Sequence, residues 1–341
     1  MLSRKKISDG VKKAHALSWI DLAIGCIQRE SGDYNDWYSP LRIDAFMHKV
    51  MLSGMWVDIQ GDYYKLWTVF EGLHIDDHFV PSERMPSYKE RWIKHSPGFQ
   101  MYVYVYPIGY RPPYRIEIIP RERASIGDWK DLLKKLRLWF PKLKVSTVDY
   151  AIDEYCYSPR TAENLFLIQS RHLYIPYQEK VEIYGEDLIE FGNQTRLNAV
   201  YRSGNVKMYE RGPDKKKNGK GWSMEDVDRV RLEYSAPREV LRDHGITFIA
   251  DLIRNPLFHE INKNTYKFKR FKGSKKLPML GQDYTTPVKN GNIGFFQSED
   301  IGHRKNINNI AHYRKDIKEF GDLKSALRDA MQRFDLEWVG A

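Results

Sequence analysis

Apolar and polar positions alternate with a period of two through much of the middle of this chain, which predicts short strands, each with one buried face. The alternation is visible at Phe99 to Tyr106, Tyr114 to Ile119 and Val145 to Tyr150. It returns at Val181 to Tyr184, Asp187 to Phe191, Leu197 to Tyr201, Asn205 to Tyr209 and Arg229 to Ser235. Met55 to Ile59 and Tyr63 to Phe70 read as two more strands, split by a Gln60-Gly61-Asp62 turn. Helical spacing appears instead in Ser18 to Ile27, Pro40 to Leu52 and Gly127 to Phe140, where Trp129, Leu132, Leu133, Leu136 and Phe140 follow one face. Further helices are expected at Ala162 to Gln169, capped by Ser158 or Thr161, at Arg238 to Asp243 after Pro237, and at Ile310 to Arg333. Residues 71–98 and 262–300 read as polar and irregular.

These elements predict an α+β fold: an antiparallel sheet with helices packed on one face. Three segments follow from the pattern. Residues 1–54 form an N-terminal helical accessory segment, 55–245 a sheet-bearing domain, and 246–341 a basic C-terminal extension with a terminal helix.

The charge adds a partner to this picture. The 341 residues carry a net charge of +10, which favours a polyanion such as nucleic acid or an acidic membrane surface. The two cysteines, Cys26 and Cys156, are too few for a zinc site or a disulfide framework and fit a reducing cytoplasm. No apolar run approaches the roughly 18 residues of a membrane span, and no signal peptide is expected behind Met-Leu-Ser-Arg-Lys-Lys.

Candidate chemistry concentrates on four of the predicted strands. In Val206 to Arg211, Lys207, Tyr209 and Arg211 share a face opposite Val206 and Met208, so a phenol lies between two cations. Those cations would favour its phenolate. In the next strand Arg229, Arg231 and Glu233 share a face opposite Val230, Leu232 and Tyr234. A cation-flanked tyrosine with a nearby carboxylate is what attack on a phosphodiester requires: a nucleophile, charge for the phosphate and a metal ligand. The other reading of Tyr209, one of 22 tyrosines, is structural.

Asp149 interrupts the apolar run Val148 to Ile152, with Asp153 on the same face about 13 Å further along the strand. Glu117 is a single acid among Ile116, Ile118 and Ile119. Hard oxygen ligands would favour Mg2+ or Mn2+. The competing reading is a salt bridge: Asp149 to a cation of an adjacent strand, Glu117 to Arg115 or Arg123, and Glu233 to Arg229 or Arg231. Asp153, near the strand end, reads as solvated. His74-Ile75-Asp76-Asp77-His78 reads as a surface loop.

Two basic stretches suit a phosphate backbone. Pro213 to Gly221, with Lys215, Lys216, Lys217 and Lys220, reads as a flexible loop. Lys263 to Lys276 includes Lys267, Lys269, Arg270 and Lys272 interleaved with Tyr266, Phe268 and Phe271, the composition of a single-strand binder. Arg231 joins them as a contact to DNA.

Taken in order, Thr147-Val-Asp-Tyr-Ala-Ile-Asp153, Gly204-Asn-Val-Lys-Met-Tyr-Glu-Arg211 and Arg229-Val-Arg-Leu-Glu-Tyr234 resemble the motifs of rolling-circle replication initiators. The likeness is to the trans-acting plasmid initiators and the filamentous-phage replication proteins, to which relaxases of some integrative elements are related. It covers roughly residues 55–245. Thr147 departs from the family, whose members often carry Arg two residues before the acid. The resemblance implies a Rep-type nicking-endonuclease fold. It implies a metal-dependent nick at a replication origin, with Tyr209 joined to the 5′ phosphate and Lys207 and Arg211 supporting it. Asp149, Glu233 and Glu117 would be the metal-binding acids. It further implies origin DNA, single-stranded at the nick, as partner, a host helicase and polymerase, and a homodimer. The alternatives are a conjugative relaxase with the same chemistry, a non-catalytic nucleic-acid-binding protein, and a nuclease that uses water.

Overall fold

The computed structural model describes residues 40–70, 74–75, 87–95, 98–121, 124–156, 162, 165–166, 169, 173–174, 181–191, 194–219, 221–263, 265–271, 314–316 and 321–341. In chain order the elements are β1 (Arg42–Ser53), α1 (Ile59–Val69), β2 (His74–Ile75), β3 (Tyr88–His95), β4 (Phe99–Pro107), β5 (Tyr114–Pro120), α2 (Ile126–Trp139) and β6 (Lys144–Tyr155). Then come β7 (Leu173–Tyr174), β8 (Val181–Phe191), β9 (Gln194–Ser203), β10 (Val206–Glu210), α3 (Arg211–Lys217), α4 (Met224–Val227) and β11 (Arg229–Pro237). The last are α5 (Arg238–Asp243), α6 (Ile249–Arg254), α7 (Phe258–Asn262), β12 (Lys267–Phe271), β13 (Arg314–Asp316) and α8 (Gly321–Gly340).

The chain forms two compact units that interleave segments. The first comprises Met1–Asp44, Ile152–Tyr234 and Asn262–Ala330; the second comprises Ala45–Ala151, Ser235–Ile261 and Met331–Ala341. β6 contributes residues to both units.

The second unit is an antiparallel sheet in the order β2-β3-β4-β5-β1-β6. The register sets its two faces. Trp92, Val103, Ile116 and Leu52 form one cross-strand row, and Ile93, Tyr102, Glu117 and Met51 form the next, on the opposite face. The apolar rows lie under helices: Tyr63 and Trp67 of α1 meet Trp92, and Trp129 of α2 meets Phe99 with ring centroids 4.9 Å apart. On α2, Ser125 and Asp128 form a reciprocal capping box, so this helix starts where local chemistry favours it. Helices α7 and α8 extend the same layer. Tyr150 stacks on Phe258, Phe258 meets Phe334, and the Trp338 indole N–H donates to the Ile253 carbonyl at 3.0 Å. The Asp335 carboxylate accepts the first two amides of α7, Phe258 and His259, at 2.8 Å each.

The first unit carries the strands β6-β11-β10-β9-β8 and a small sheet ordered β13-β12-β7, with antiparallel pairing wherever the register is resolved. Val206, Met208, Val230 and Leu232 form its buried apolar layer, and the helical residues Ala162, Leu165 and Phe166 are buried as well.

Several expectations fail for identifiable reasons. Arg42–Ser53 is a strand, not the helix expected over Pro40 to Leu52. It is largely buried on both faces, so its near-continuous apolar run mimics helical spacing. Ile59–Val69 is a helix, not a pair of strands. Tyr63, Leu66 and Val69 bury at i, i+3 and i+6, and Asp58 caps the helix by accepting the Gly61 amide. A Cβ at position 61 would meet the Asp58 carboxylate, which would have to turn away and give up its capping position. The basic Pro213 to Gly221 stretch is helical through Lys217 rather than a flexible loop. A strand, β3, lies within the region expected to be irregular, and another, β12, lies within 262–300. The last helix begins at Gly321 rather than Ile310. The helix expected at Ser18 to Ile27 lies outside the described residues.

Candidate active site

The tyrosine strand and the acid strand are neighbours. β10 pairs with β11 so that Tyr209 faces Arg231 and Lys207 faces Glu233. All four side chains emerge on one face, and the diagonal of this block brings phenol and carboxylate together. The Tyr209 hydroxyl donates to Glu233 Oε1 at 2.6 Å. Arg231 is fixed from β6, donating Nε–H to Asp153 Oδ1 at 2.6 Å and Nη2–H to Asp153 Oδ2 at 2.8 Å, a bidentate clamp. Arg229 reaches the same carboxylate at 3.0 Å and also pairs with Asp226, which accepts Lys215 at 2.8 Å. The result is a buried chain of alternating charge from Glu233 through Arg231, Asp153, Arg229 and Asp226 to Lys215.

Electrostatics differ here from the expectation of a cation-activated phenol. Burial and the adjacent Glu233 charge push the Tyr209 pKa well above its usual value, and Arg231 and Arg211 offset this only in part. Tyr209 is 7% exposed. Asp153 is buried, not solvated. Burial would raise its pKa, but Arg231, Arg229 and Arg211 hold it below the ordinary carboxylate range. Asp226 is likewise buried yet held down at about 2, chiefly by Lys215. Arg211 is not on the strand with Tyr209; it opens α3 and donates to Asp214 at 3.1 Å.

The second unit holds the other two acids. Tyr104 donates its hydroxyl to Glu117 Oε2 at 2.8 Å. Lys49, on the neighbouring β1, lies 2.7 Å from Asp149 Oδ2 and 3.9 Å from Glu117 Oε1. The salt-bridge reading of Asp149 therefore describes this state, through a lysine that the helical reading of 40–52 hid. Asp149 Oδ1 is buried with no hydrogen-bond partner. Among the described residues no group of three or more His, Cys, Asp or Glu side chains is placed to hold a metal ion. Two hard carboxylates with one orphaned oxygen still fit Mg2+ or Mn2+, which binds through one or two carboxylates and keeps several waters. Glu233 belongs to the first unit and is engaged by Tyr209.

This fit has a test that needs no activity. Lys49→Met leaves Asp149 and Glu117 without the lysine they share and is expected to destabilise the chain by about 3 kcal/mol in EDTA. Millimolar Mg2+ should restore much of the loss. Identical melting curves for the variant with and without Mg2+ would remove the pair as a metal site.

The basic residues are dispersed. Lys215 is spent on Asp226, Lys216 lies 5.7 Å over the exposed Trp222 ring, and Lys217 is exposed. Lys267, Lys269 and Arg270 lie on β12, where Lys267 faces Tyr174, Lys269 faces Asp316 and Arg270 faces Lys315. Lys220 and Lys272 lie outside the described residues, as do Asp76, Asp77 and His78 of the histidine loop.

Glu154 carries a signal that the pattern alone did not expose. Its side chain is fully buried, and the Gln169 amide reaches both carboxyl oxygens at 2.7 and 2.8 Å. Burial raises its pKa to about 8 against the opposing hydrogen bond. A carboxyl raised in the folded state contributes stability that is fully present below its unfolded pKa of about 4.3. That contribution is lost as pH rises through about 8. Glu154→Gln should flatten the fall in melting temperature between pH 6 and 9; an unchanged slope would show that Glu154 is not its source.

No family model matches the chain, and no curated protein matches it. Solved structures that resemble it include a rolling circle replication initiator protein from Geobacillus stearothermophilus. The TM-score is 0.42 at 14% identity, covering 69% of this chain and 90% of that one. No described helix is long and apolar enough to cross a membrane.

Proposed function

We propose that this chain is a DNA nicking and joining enzyme of the rolling-circle initiator type, with Tyr209 as nucleophile. The observation that carries the reading is the 2.6 Å hydrogen bond from the Tyr209 hydroxyl to Glu233, beside the clamped Arg231. Glu233 would take the phenolic proton as the oxygen attacks a phosphodiester. The P–O bond to the 3′ oxygen breaks, that oxygen leaves with the bonding pair and takes a proton from water to become the 3′ hydroxyl, and the 5′ phosphate stays on Tyr209. A later 3′ hydroxyl reverses the step, since the phosphotyrosine conserves the bond. Arg231 and Arg211 supply positive charge near the phenol. In the second unit, Glu117 and Asp149 would hold Mg2+ or Mn2+, whose contribution when bound is Lewis-acid polarisation of a phosphate.

The net charge of +10 supports DNA as substrate. Origin DNA, a helicase and polymerase, and a second copy of the chain belong to the same proposal. So does the choice of replication over conjugative transfer.

A second reading rests on the deep burial of Tyr209 and on Lys49 seated at Asp149. Both suit a binding protein whose acids are structural. The deciding experiment incubates the chain with supercoiled parental replicon DNA, with and without Mg2+, and separates the products on a denaturing protein gel. A Mg2+-dependent band of protein joined to DNA supports the enzyme. Nicks without an adduct mean a water-using nuclease. Binding with neither product means the non-catalytic reading.

A further inference from the structure

We infer that the second unit carries a stacking platform for unpaired nucleobases at the junction of α1 and the β4–β5 connection. The inference rests on the nucleic-acid part of the proposed function and not on the assignment of Tyr209.

Two buried rings, Tyr63 and Trp92, form its floor, with centroids 5.9 Å apart. Trp67 lies 5.1 Å from Trp92 on one side, and Tyr106 lies 5.2 Å from Tyr63 on the other. Both outer rings are two-fifths exposed although packed from behind. Tyr64 precedes Trp67 by three residues, on the same side of the helix, and is 75% exposed. Tyr106 adopts φ +58°, a strained conformation for a tyrosine, and the packing against Tyr63 offsets that strain. Beyond it, Ile108 N–H is tied to the Ser87 carbonyl at 2.7 Å, and Tyr110 at the tip is fully exposed.

Charge decides what the platform fits. The acids around it are hydrogen-bonded to the protein. Asp58 accepts the Gly61 amide, Asp62 the Tyr114 hydroxyl at 2.9 Å, and Glu90 the Trp92 indole N–H at 3.1 Å. Lys89, beside Tyr106 in the β3–β4 register, and Arg111, next to Tyr110, are exposed. Supported aromatic faces edged by cations suit bases that offer a π-face and a phosphate between them. Duplex DNA keeps its faces stacked internally, so the partner is single-stranded nucleic acid.

The test is fluorescence anisotropy with labelled oligothymidylate in EDTA, where no metal-dependent cleavage runs. The double variant Tyr64→Ala, Tyr110→Ala removes two exposed rings that bear little of the fold. It should weaken binding at least about tenfold. Arg111→Gln should weaken it less and lower the salt slope by about one. Tyr209→Phe should bind as the parent does, so a failed nicking assay leaves this result standing. The platform is overturned if the parent does not bind, or if the double variant binds as tightly as the parent. It is equally overturned if the double variant loses binding to phosphatidylserine vesicles while oligonucleotide binding stays unchanged.

Discussion

Tyr209→Phe is expected to lower formation of the protein–DNA adduct by on the order of 10⁴-fold or more while leaving DNA binding intact, because it removes the attacking oxygen and little else. The ring is 7% exposed on a strand whose other face is core, and its hydroxyl makes one bond, to Glu233. Losing that bond removes one donor from Glu233, itself 6% exposed. Some stability is lost, on the order of 1–3 kcal/mol, so the variant is to be assayed below its melting point.

The environment of Tyr209 also fixes a pH dependence. Burial and the Glu233 charge hold its proton on through the neutral range, so the reactive phenolate is scarce until a base removes the proton. Nicking should therefore rise with pH through the neutral and mildly alkaline range. Glu233→Gln should depress the rate and steepen that rise, since it keeps the hydrogen bond's shape and loses the base. Adducts that persist in Tyr209→Phe would move the nucleophile elsewhere. An unaltered pH profile in Glu233→Gln would leave Glu233 a structural acceptor. The same raised pKa bears on stability: the contribution of Tyr209 is fully present below the ordinary tyrosine pKa of about 10 and is lost as pH rises through its folded value.

How far the sequence discloses this site depends on the element. β10 and β11 were legible because apolar and polar side chains alternate along each, although Tyr209, Arg231 and Glu233 on the polar face are buried as well. Their register was not, and the register alone turns Tyr209 toward Arg231 and Glu233 rather than leaving it between Lys207 and Arg211. Asp149 and Glu117 stood out as lone acids in apolar strands. Their partner Lys49 did not, because β1 is largely buried on both faces and carries no period-2 signal. α1 was hidden for the opposite reason: Tyr63, Tyr64, Trp67, Thr68 and Val69 are strand-favouring residues, overridden by the burial of Tyr63, Leu66 and Val69 along one helical face. Asp153 was misread because β6 continues to Tyr155, two residues beyond it, and the added length places its carboxylate against Arg231.

That carboxylate underlies the largest expected loss of stability. Arg231→Met should destabilise the fold by about 3–5 kcal/mol, the cost of breaking a buried pair by removing one partner. Asp153 is 1% exposed and Arg231 5% exposed, so neither charge finds water when the other is deleted. Arg229 still reaches Asp153 at 3.0 Å, which places the loss toward the lower end of that range. The reciprocal change, Asp153→Leu, removes the bidentate acceptor of Arg231 and one carboxylate partner of Arg229, and should cost a similar amount. Replacing Asp153 and Arg231 together by apolar residues of similar volume should cost less than the sum of the two, because the desolvation penalty of both charges disappears with them. Acid should mimic the loss in Asp153→Leu, because it removes the same negative charge. Asp153 is held below its usual range, so its contribution is present above the unfolded pKa of about 3.9 and is lost as pH falls through the lower folded value. Urea denaturation of the parent and the three variants at neutral pH measures the cycle. Strictly additive losses would mean that Asp153 and Arg231 do not act on each other, and the geometry argued for Tyr209 would lose its support from β6.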